Sequence, residues 1–431
     1  MIKNICKHLL NRWKKNLWIT LELLLVFCLT WYMVDYFFVL GYNKSLSSHR
    51  DLAHTYMVNI GSLPQNHEDY HAEDDEPAAR YANYLRVINL LRDNPDVESV
   101  ALASDYSALS ALGALNEGRY RSVTDTTVVA ETQVIRFVAD EDYLKVFRHS
   151  KANGKTLVST RDYDWNDPAN ILISRMMEEK LFPGESAYDK RIEAVDQPGV
   201  QYRVIDVLDD IKHFNYLRPY GVVYLPERLN ETNLGGKIIT IRSRDGLSEA
   251  QFMATFKKEM STRLRVGNYY LGGLNSLAQM AEDTDYRAGK TNEIRMSTAL
   301  LLFLLVNILL CVLGTFWYRV NVRRGEIGIR RAMGSDLVGI RKLFMLEGLL
   351  LLTIIVVPAL LIEVQFIFSG VITTLGQDVK SYGSYLPDSM GLRFLITNIL
   401  TWCILAVMVL LGIWYPTRQA SRMSPVDALR D

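Results

Sequence analysis

The chain has 431 residues, 48 lysines and arginines against 48 aspartates and glutamates, and 49% hydrophobic residues. A formal net charge of zero excludes the strongly basic make-up of a nucleic-acid binder and the acidic, aromatic-poor make-up of a disordered chain. The apolar residues are unevenly distributed, so order along the chain carries the information.

A tail at 1–16 holds Lys3, Lys7, Arg12, Lys14 and Lys15 directly before an apolar run at 17–40. Three further runs follow at 297–318, 343–368 and 394–415. Each reaches the roughly 20 residues needed to cross ~30 Å of hydrocarbon at about 1.5 Å per residue. The fold class expected is an α-helical membrane protein with four transmembrane helices. A large α+β extracytoplasmic domain, 41–293, is inserted between the first and second helices, and it is long enough for its own core.

Lysine and arginine in the short loops set the expected orientation. Seven basic residues lie in the loop 319–342, and Arg418, Arg422 and Arg430 lie in the tail 416–431. The loop 369–393 offers Lys380 and, at its end, Arg393. Both termini and the basic loop are therefore expected in the cytoplasm, with the large domain outside. The first run is too long for a signal peptide and lacks a following A-x-A-like site, so an uncleaved anchor is expected. Cys6, Cys28, Cys311 and Cys403 all fall outside 41–293, so the external domain must be stable without disulfides.

Within that domain "ARYANYLRVINLLRDNP" has helical spacing ended by Pro95, and "VESVAL", "ETQVIRFVAD", "ANILIS", "QYRVIDVLDDI" and "KIITIR" read as strands. Ser174 is placed to cap the helix "RMMEEKLF". Ser248 and Gln251 form a capping-box pair, flanked by the staple positions Leu247 and Phe252. A middle insertion is expected to divide the domain into two subdomains.

Catalytic patterns in this region fail on spacing. "NGKT" and "AGKT" resemble the end of a phosphate loop, but His149 and Thr284 stand where the leading glycine is needed, so Lys155 and Lys290 are decoys. His67 and His71 stand four apart among carboxylates, but "HEDYH" lacks the zinc-protease pairing and sits in a charged run that reads as a solvated loop. No nucleophile arrangement emerges. No catalytic residue, bound cofactor or metal is expected in this chain.

Charge at mid-membrane costs about 2.5–3.5 kcal/mol on insertion scales. Glu22 and Asp35 lie toward the ends of the first span, Glu347 near the start of the third and Glu363 deeper within it. The spans themselves offer no basic partners, and the role of Glu347 and Glu363 stays open between helix contact and a proton path.

The loop "RVNVRRGEIGIRRAMGSDLVGIRK" sets Ile329, Met333, Leu337, Ile340 and Phe344 on one helical stripe. Gly325, Gly328 and Gly334 interrupt it, giving two short helices and a turn. Such a knob suits a groove on a cytoplasmic partner, and a lipid-surface helix is the alternative.

"RRGEIGIRRAMGS" resembles the signature between the second and third spans of MacB/FtsX-type (type VII) ABC transporter permeases. "YPTRQASRMSPVDALRD" resembles the family's ending, with Pro416, Ala420, Pro425, Leu429 and Arg430 in place. "NPDVESV", "DEDYLKVF…NGKTL", "ILISRMMEEKLFPGES" and "YRVIDVLDDI" resemble successive pieces of the MacB-type periplasmic core domain, and Tyr42–Arg80 is the stretch least matched. The third span keeps Gly348 where the family is glycine-rich.

The resemblance implies a permease dimer, of one chain or of two relatives, docked on cytoplasmic ABC ATPase subunits that bind ATP and magnesium. Those ATPases are expected as separate chains, since sixteen residues precede the first span. The loop would be the coupling element, with Arg324, Glu326, Ile327, Arg330, Arg331, Ala332, Met333 and Gly334 facing the ATPase. The function implied is mechanotransmission, moving the external domain to export or extract a substrate, with a periplasmic adaptor as a further partner. The alternatives are an FtsX-like relay that activates an external hydrolase and a peptide-sensing membrane subunit. Nucleic acid is not an expected partner.

Overall fold

The computed structural model describes residues 13–46, 51–104, 116–153, 155–214, 216–323, 325, 329, 333, 337–369 and 385–421. The chain divides into two units, one of membrane-type helices and one formed by Tyr42–Lys290 with Gly376–Ser384.

Four long helices make the first unit: α1 (Trp13–Ser45), α7 (Lys290–Val322), α8 (Leu337–Phe368) and α9 (Met390–Ser421). Each overruns the apolar run read from the sequence at one or both ends. At 33 and 32 residues α7 and α8 are close to 50 Å long, well beyond a ~30 Å hydrocarbon layer. Buried positions recur at the helical interval. Ile308, Val312, Phe316 and Val320 on α7 meet Phe344, Leu352, Ile355 and Ala359 on α8, and Leu405, Val409 and Ile413 on α9 join the same cluster with Leu23 and Phe27 of α1. The outward faces are apolar too, with Leu25, Phe303, Leu310 and Leu361 exposed, the all-round hydrophobicity of helices that face lipid.

Gly348 brings the backbone of α8 close against α9. A Cβ there would lie 2.3 Å from Ile413 Cδ1, 3.1 Å from Val409 Cγ1 and 3.4 Å from Phe316 Cζ. One glycine thus provides the close approach that small residues give membrane helices, although the surrounding span is built of leucine, isoleucine and valine. α8 runs unbroken through Pro358.

The second unit is built on a ten-stranded sheet ordered β10-β1-β9-β2-β4-β3-β6-β7-β5-β8. Its strands are β1 (Thr55–Ser62), β2 (Val97–Ala103), β3 (Glu117–Ser122), β4 (Val129–Val138), β5 (Asn170–Ser174), β6 (Arg191–Ala194), β7 (Gln201–Leu208), β8 (Val222–Glu227), β9 (Ile238–Ser243) and β10 (Tyr269–Ser276). β8 returns to pair with β4 in parallel, Gln133 opposite Val222 through Val138 opposite Glu227. That pairing closes β4-β3-β6-β7-β5-β8 into a ring, leaving β10-β1-β9-β2 as an open arm that shares β4. The helices are α2 (Pro77–Arg92), α3 (Tyr143–Val146), α4 (Arg175–Leu181), α5 (Glu249–Arg263) and α6 (Leu277–Arg287).

Side-chain alternation divides the interior into three cores. Val134, Ile171, Ile173 and Val223 point to one with Met177 and Leu181 of α4. Their neighbours Ile135, Phe137, Leu172 and Tyr224 point the other way, onto Tyr143, Leu144 and Phe147. On the arm, Val58, Val100, Leu102, Ile239 and Ile241 meet Val87 and Leu91 of α2 and Phe252, Phe256 and Met260 of α5. Burial on both faces is why "ANILIS" reads as a continuous apolar run with no alternation.

The capping box of Ser248 and Gln251 is present at the start of α5. Ser174 precedes α4 but makes no cap; its hydroxyl accepts from Val222 N–H at 3.0 Å. Asp210 caps α4 instead, accepting from Met176 N–H at 2.8 Å across 34 residues of chain. A cap supplied from so far away leaves no local sequence signal.

Two outcomes are expected from this packing. Gly348→Leu must push α8 from α9 or force Ile413 off its rotamer, an overpacking cost of about 1–3 kcal/mol, read as a lowered unfolding temperature in detergent; an unchanged temperature would contradict the close approach. In the external unit burial raises the phenols of Tyr56, Tyr84, Tyr120 and Tyr163 above their ordinary range, Tyr120 to about 12. The folded state holds these protons more tightly than the unfolded chain. Their stabilising contribution is therefore whole below the ordinary tyrosine value near pH 10 and falls as pH rises above it. Alkaline titration followed by tyrosinate absorbance should show ionisation and unfolding together rather than early, gradual ionisation.

Candidate functional site

The loop 319–342 is framed by the last turns of α7 and the first turns of α8. Arg319 and Arg323 stand four residues apart, so both project from one face of the chain as it leaves α7. Glu347 lies ten residues into α8 and is buried. Its Oε1 accepts from Arg319 Nη1 at 3.0 Å, and its Oε2 from Arg323 Nη1 at 2.9 Å, with a longer contact of 3.4 Å from Arg323 Nη2 to Oε1. Both guanidinium groups are themselves mostly withdrawn from solvent. Arg319 also stacks over Phe316 and Arg323 over Phe344, at 5.3 and 5.9 Å from the ring centres. Two cations on one carboxylate leave a net positive charge at this end of the helices.

This clasp corrects the reading that the spans hold no basic partners. Arg319 is counted with the loop when the boundary is drawn at 318, whereas α7 continues to Val322. A second correction concerns Asp35. It is buried against Arg393, a basic partner that the sequence reading assigns to the loop 369–393 and that belongs to the first turn of α9. Arg393 Nε donates to Asp35 Oδ1 at 2.7 Å and its Nη2 to Oδ2, a two-point fork. Beside it Trp31 Nε1 donates to Thr397 Oγ1 at 3.0 Å, and Trp31 and Phe394 meet edge to face. Glu363 is fully buried on α8.

Of the loop residues named from the sequence, Arg324, Glu326, Ile327, Arg330, Arg331, Ala332 and Gly334 lie outside the described residues. Met333 is exposed, and its N–H donates to Ile329 O at 3.0 Å, one turn of α-helix. The apolar stripe divides at that point. Ile329 and Met333 face solvent, whereas Ile340 and Phe344 are buried in the helix cluster. The far half of the stripe anchors α8, and the near half presents apolar side chains outward.

In the external unit Lys155 sits in a tight turn, its N–H held by Asn153 Oδ1 at 2.9 Å, and Lys290 starts α7 with its ammonium over Tyr216. His67 Nδ1 accepts from Asp69 N–H, and the neighbouring carboxylates are engaged by protein groups, Asp74 by Asn83 and Asp75 by Tyr70. His149 and His213 are buried, His149 stacked on Tyr143 and His213 bonded to Gln133.

Two family models match the chain. The MacB-like periplasmic core domain covers residues 37–259, more than half its length, and the FtsX-like permease C-terminal covers 298–425. The Macrolide export ATP-binding/permease protein MacB of Shigella flexneri is 22% identical over 293 residues, 67% of this chain and 42% of that protein. MacB 1 of Yersinia pestis bv. Antiqua (strain Antiqua) is 23% identical over 362 residues, 83% of this chain and 50% of that one. The chain thus spans about half the length of the curated relatives it matches. The crystal structure of the periplasmic region of MacB from Actinobacillus actinomycetemcomitans shares 13% identity, covers 54% of this chain and 93% of that one, and has a TM-score of 0.31.

The clasp makes a stability prediction. Glu347→Ala strands two buried cations and is expected to cost about 3–5 kcal/mol. Arg323→Gln leaves Glu347 paired with Arg319 and should cost clearly less. Unfolding temperatures of the three proteins in the same detergent check the order, and equal losses would contradict a shared carboxylate.

Proposed function

Because the chain belongs to the MacB/FtsX-type permeases, we propose that it is the membrane subunit of an ABC transporter, converting ATP hydrolysis in a separate cytoplasmic ATPase into movement of its external domain. The observation that carries this reading is the Glu347 clasp. Arg319 and Arg323 precede the basic loop and Glu347 follows it, so one carboxylate ties both flanks of that loop together. A push on the loop reaches α7 and α8 at once. Helices of this length, joined through one buried cluster that includes Phe316, Phe344 and Leu352, carry displacement as rigid bodies rather than absorbing it. α7 begins at Lys290, the residue at which the Tyr42–Lys290 segment of the external unit ends, and α1 runs on to Ser45, past that segment's first residue.

In this proposal ATP and magnesium bind to the ATPase, and both termini and the basic loop are cytoplasmic. A second permease completes the assembly, and the external domain acts on cargo in the periplasm. Met333 and Ile329 are exposed apolar residues in an otherwise basic loop, the combination expected where a partner's groove takes an apolar tip and acidic groups on its rim meet the arginines.

The test is co-expression with the ATPase subunit. Ala332→Glu or Met333→Glu is expected to leave membrane insertion intact and to abolish ATPase co-purification or stimulated turnover. Normal turnover of both variants would assign the loop to the lipid surface instead and overturn its coupling role.

A further inference from the structure

Three oxygen atoms buried among the membrane helices lack a well-formed hydrogen bond among the described residues: Glu363 Oε1, Glu363 Oε2 and Asn398 Oδ1. Glu363 on α8 has no exposed surface, and Asn398 on α9 is buried. The Asn398 amide lies beside the Glu363 carboxyl, and its Nδ2 donates to Phe394 O at 3.1 Å, which leaves one further N–H on that nitrogen. The other ionisable groups within electrostatic reach come from α1, the carboxyl of Asp35 and the thiol of Cys28. Asp35 is engaged by the guanidinium fork of Arg393, which commits that cation to another carboxylate.

An ionised carboxylate enclosed this way has lost its water without gaining a cation, and a group in that position neutralises itself by taking up a proton. The geometry gives the proton a place. A carboxylic acid and a carboxamide join through a ring of two hydrogen bonds. The acid O–H donates to Asn398 Oδ1, and the free Nδ2 N–H donates to the remaining carboxyl oxygen. One proton therefore satisfies all three orphan atoms, whereas the ionised form satisfies at most one of its own oxygens and leaves Asn398 Oδ1 bare.

We propose that Glu363 is a proton-binding site inside the membrane unit, holding its proton against Asn398 while α8 and α9 are packed and releasing it to water when they part. The step is an acid dissociation: the O–H bond breaks, the electron pair stays on the carboxylate and the proton passes to water. Glu363 lies five residues from the end of α8 at Phe368, about 8 Å at 1.5 Å per residue. Glu347 is sixteen residues away toward the other end and is occupied by two arginines. Exchange is therefore one-sided, at the Phe368 end, and the site is not part of a path across the membrane. Helix separation and protonation are then linked, each biasing the other.

The test is infrared difference spectroscopy of the full chain in lipid nanodiscs, read at the carbonyl stretch of protonated carboxyls. Carboxyls of the external unit contribute equally to wild type and variants and cancel in the difference. At neutral pH the wild type minus Glu363→Gln is expected to show a protonated-carboxyl band, and Asn398→Leu is expected to move that band to the higher frequency of an acid with fewer hydrogen bonds. Absence of a band from the difference overturns the proposal. Should Glu363→Gln fail to insert, Asn398→Leu decides alone, and an unshifted spectrum overturns the pairing.

Discussion

A carboxylate taken out of water must meet a cation or a proton, and the three buried carboxylates among the described residues of the helix unit, Asp35, Glu347 and Glu363, divide according to that demand. Glu347 meets two arginines and Asp35 meets one, and Glu363, which has neither, is the proposed proton site. The two ion-paired sites tie different helices, α7 to α8 and α1 to α9. Between them the interior is filled by aliphatic and phenyl side chains, which pack well but have little preference for register. The charged contacts supply that preference, because a guanidinium fork accepts a carboxylate in one geometry. Which helix faces which is thus set by polar groups, while Gly348 and Gly412 give close approaches of α8 to α9 and of α9 to α7.

The external unit answers a different demand. It carries no cysteine, so no covalent crosslink helps to hold its many short strands. Its strands are buried on both faces where the ring and the arm meet, and β4 serves both. Arg242, fully buried at the end of β9, is tied to Asp51 and to Val146 O, so even the charge inside this unit is matched by fixed partners. Layered apolar contact on both sides of a shared strand does the work that disulfides do in smaller secreted domains.

Much of this was legible in the sequence, for identifiable reasons. The four spans announce themselves by length, and the capping box before α5 and the helix ended near Pro95 are local signals that tertiary structure did not override. β1 and β10 were missed because "TYMVNIGS" and "YYLGGLNS" mix glycine with half-buried positions and never alternate cleanly. The Glu347 clasp was missed for a plainer reason. Boundaries drawn where hydropathy falls end the helix at 318, yet a helix does not stop because its residues turn polar. Arg319 and Arg393 belong to helices whose apolar stretches end or begin beside them, and pairing across 28 and 358 residues leaves no trace in a local window. Asp210 capping α4 is the same lesson at a smaller scale.

Closing the ring has a bearing on solubility. A sheet of ten strands ordinarily ends in two unpaired strands, each a row of free N–H and C=O groups able to template another chain. Here β8 returns to β4, and among the described strands β10 alone is left with an open side. Its partner β1 shifts register between Asn59 and Ile60, and a break of that kind twists the strand pair away from the flat geometry that intermolecular pairing requires. Topology thus leaves this unit one open edge among its described strands instead of two, and a single irregular residue pair blunts that edge.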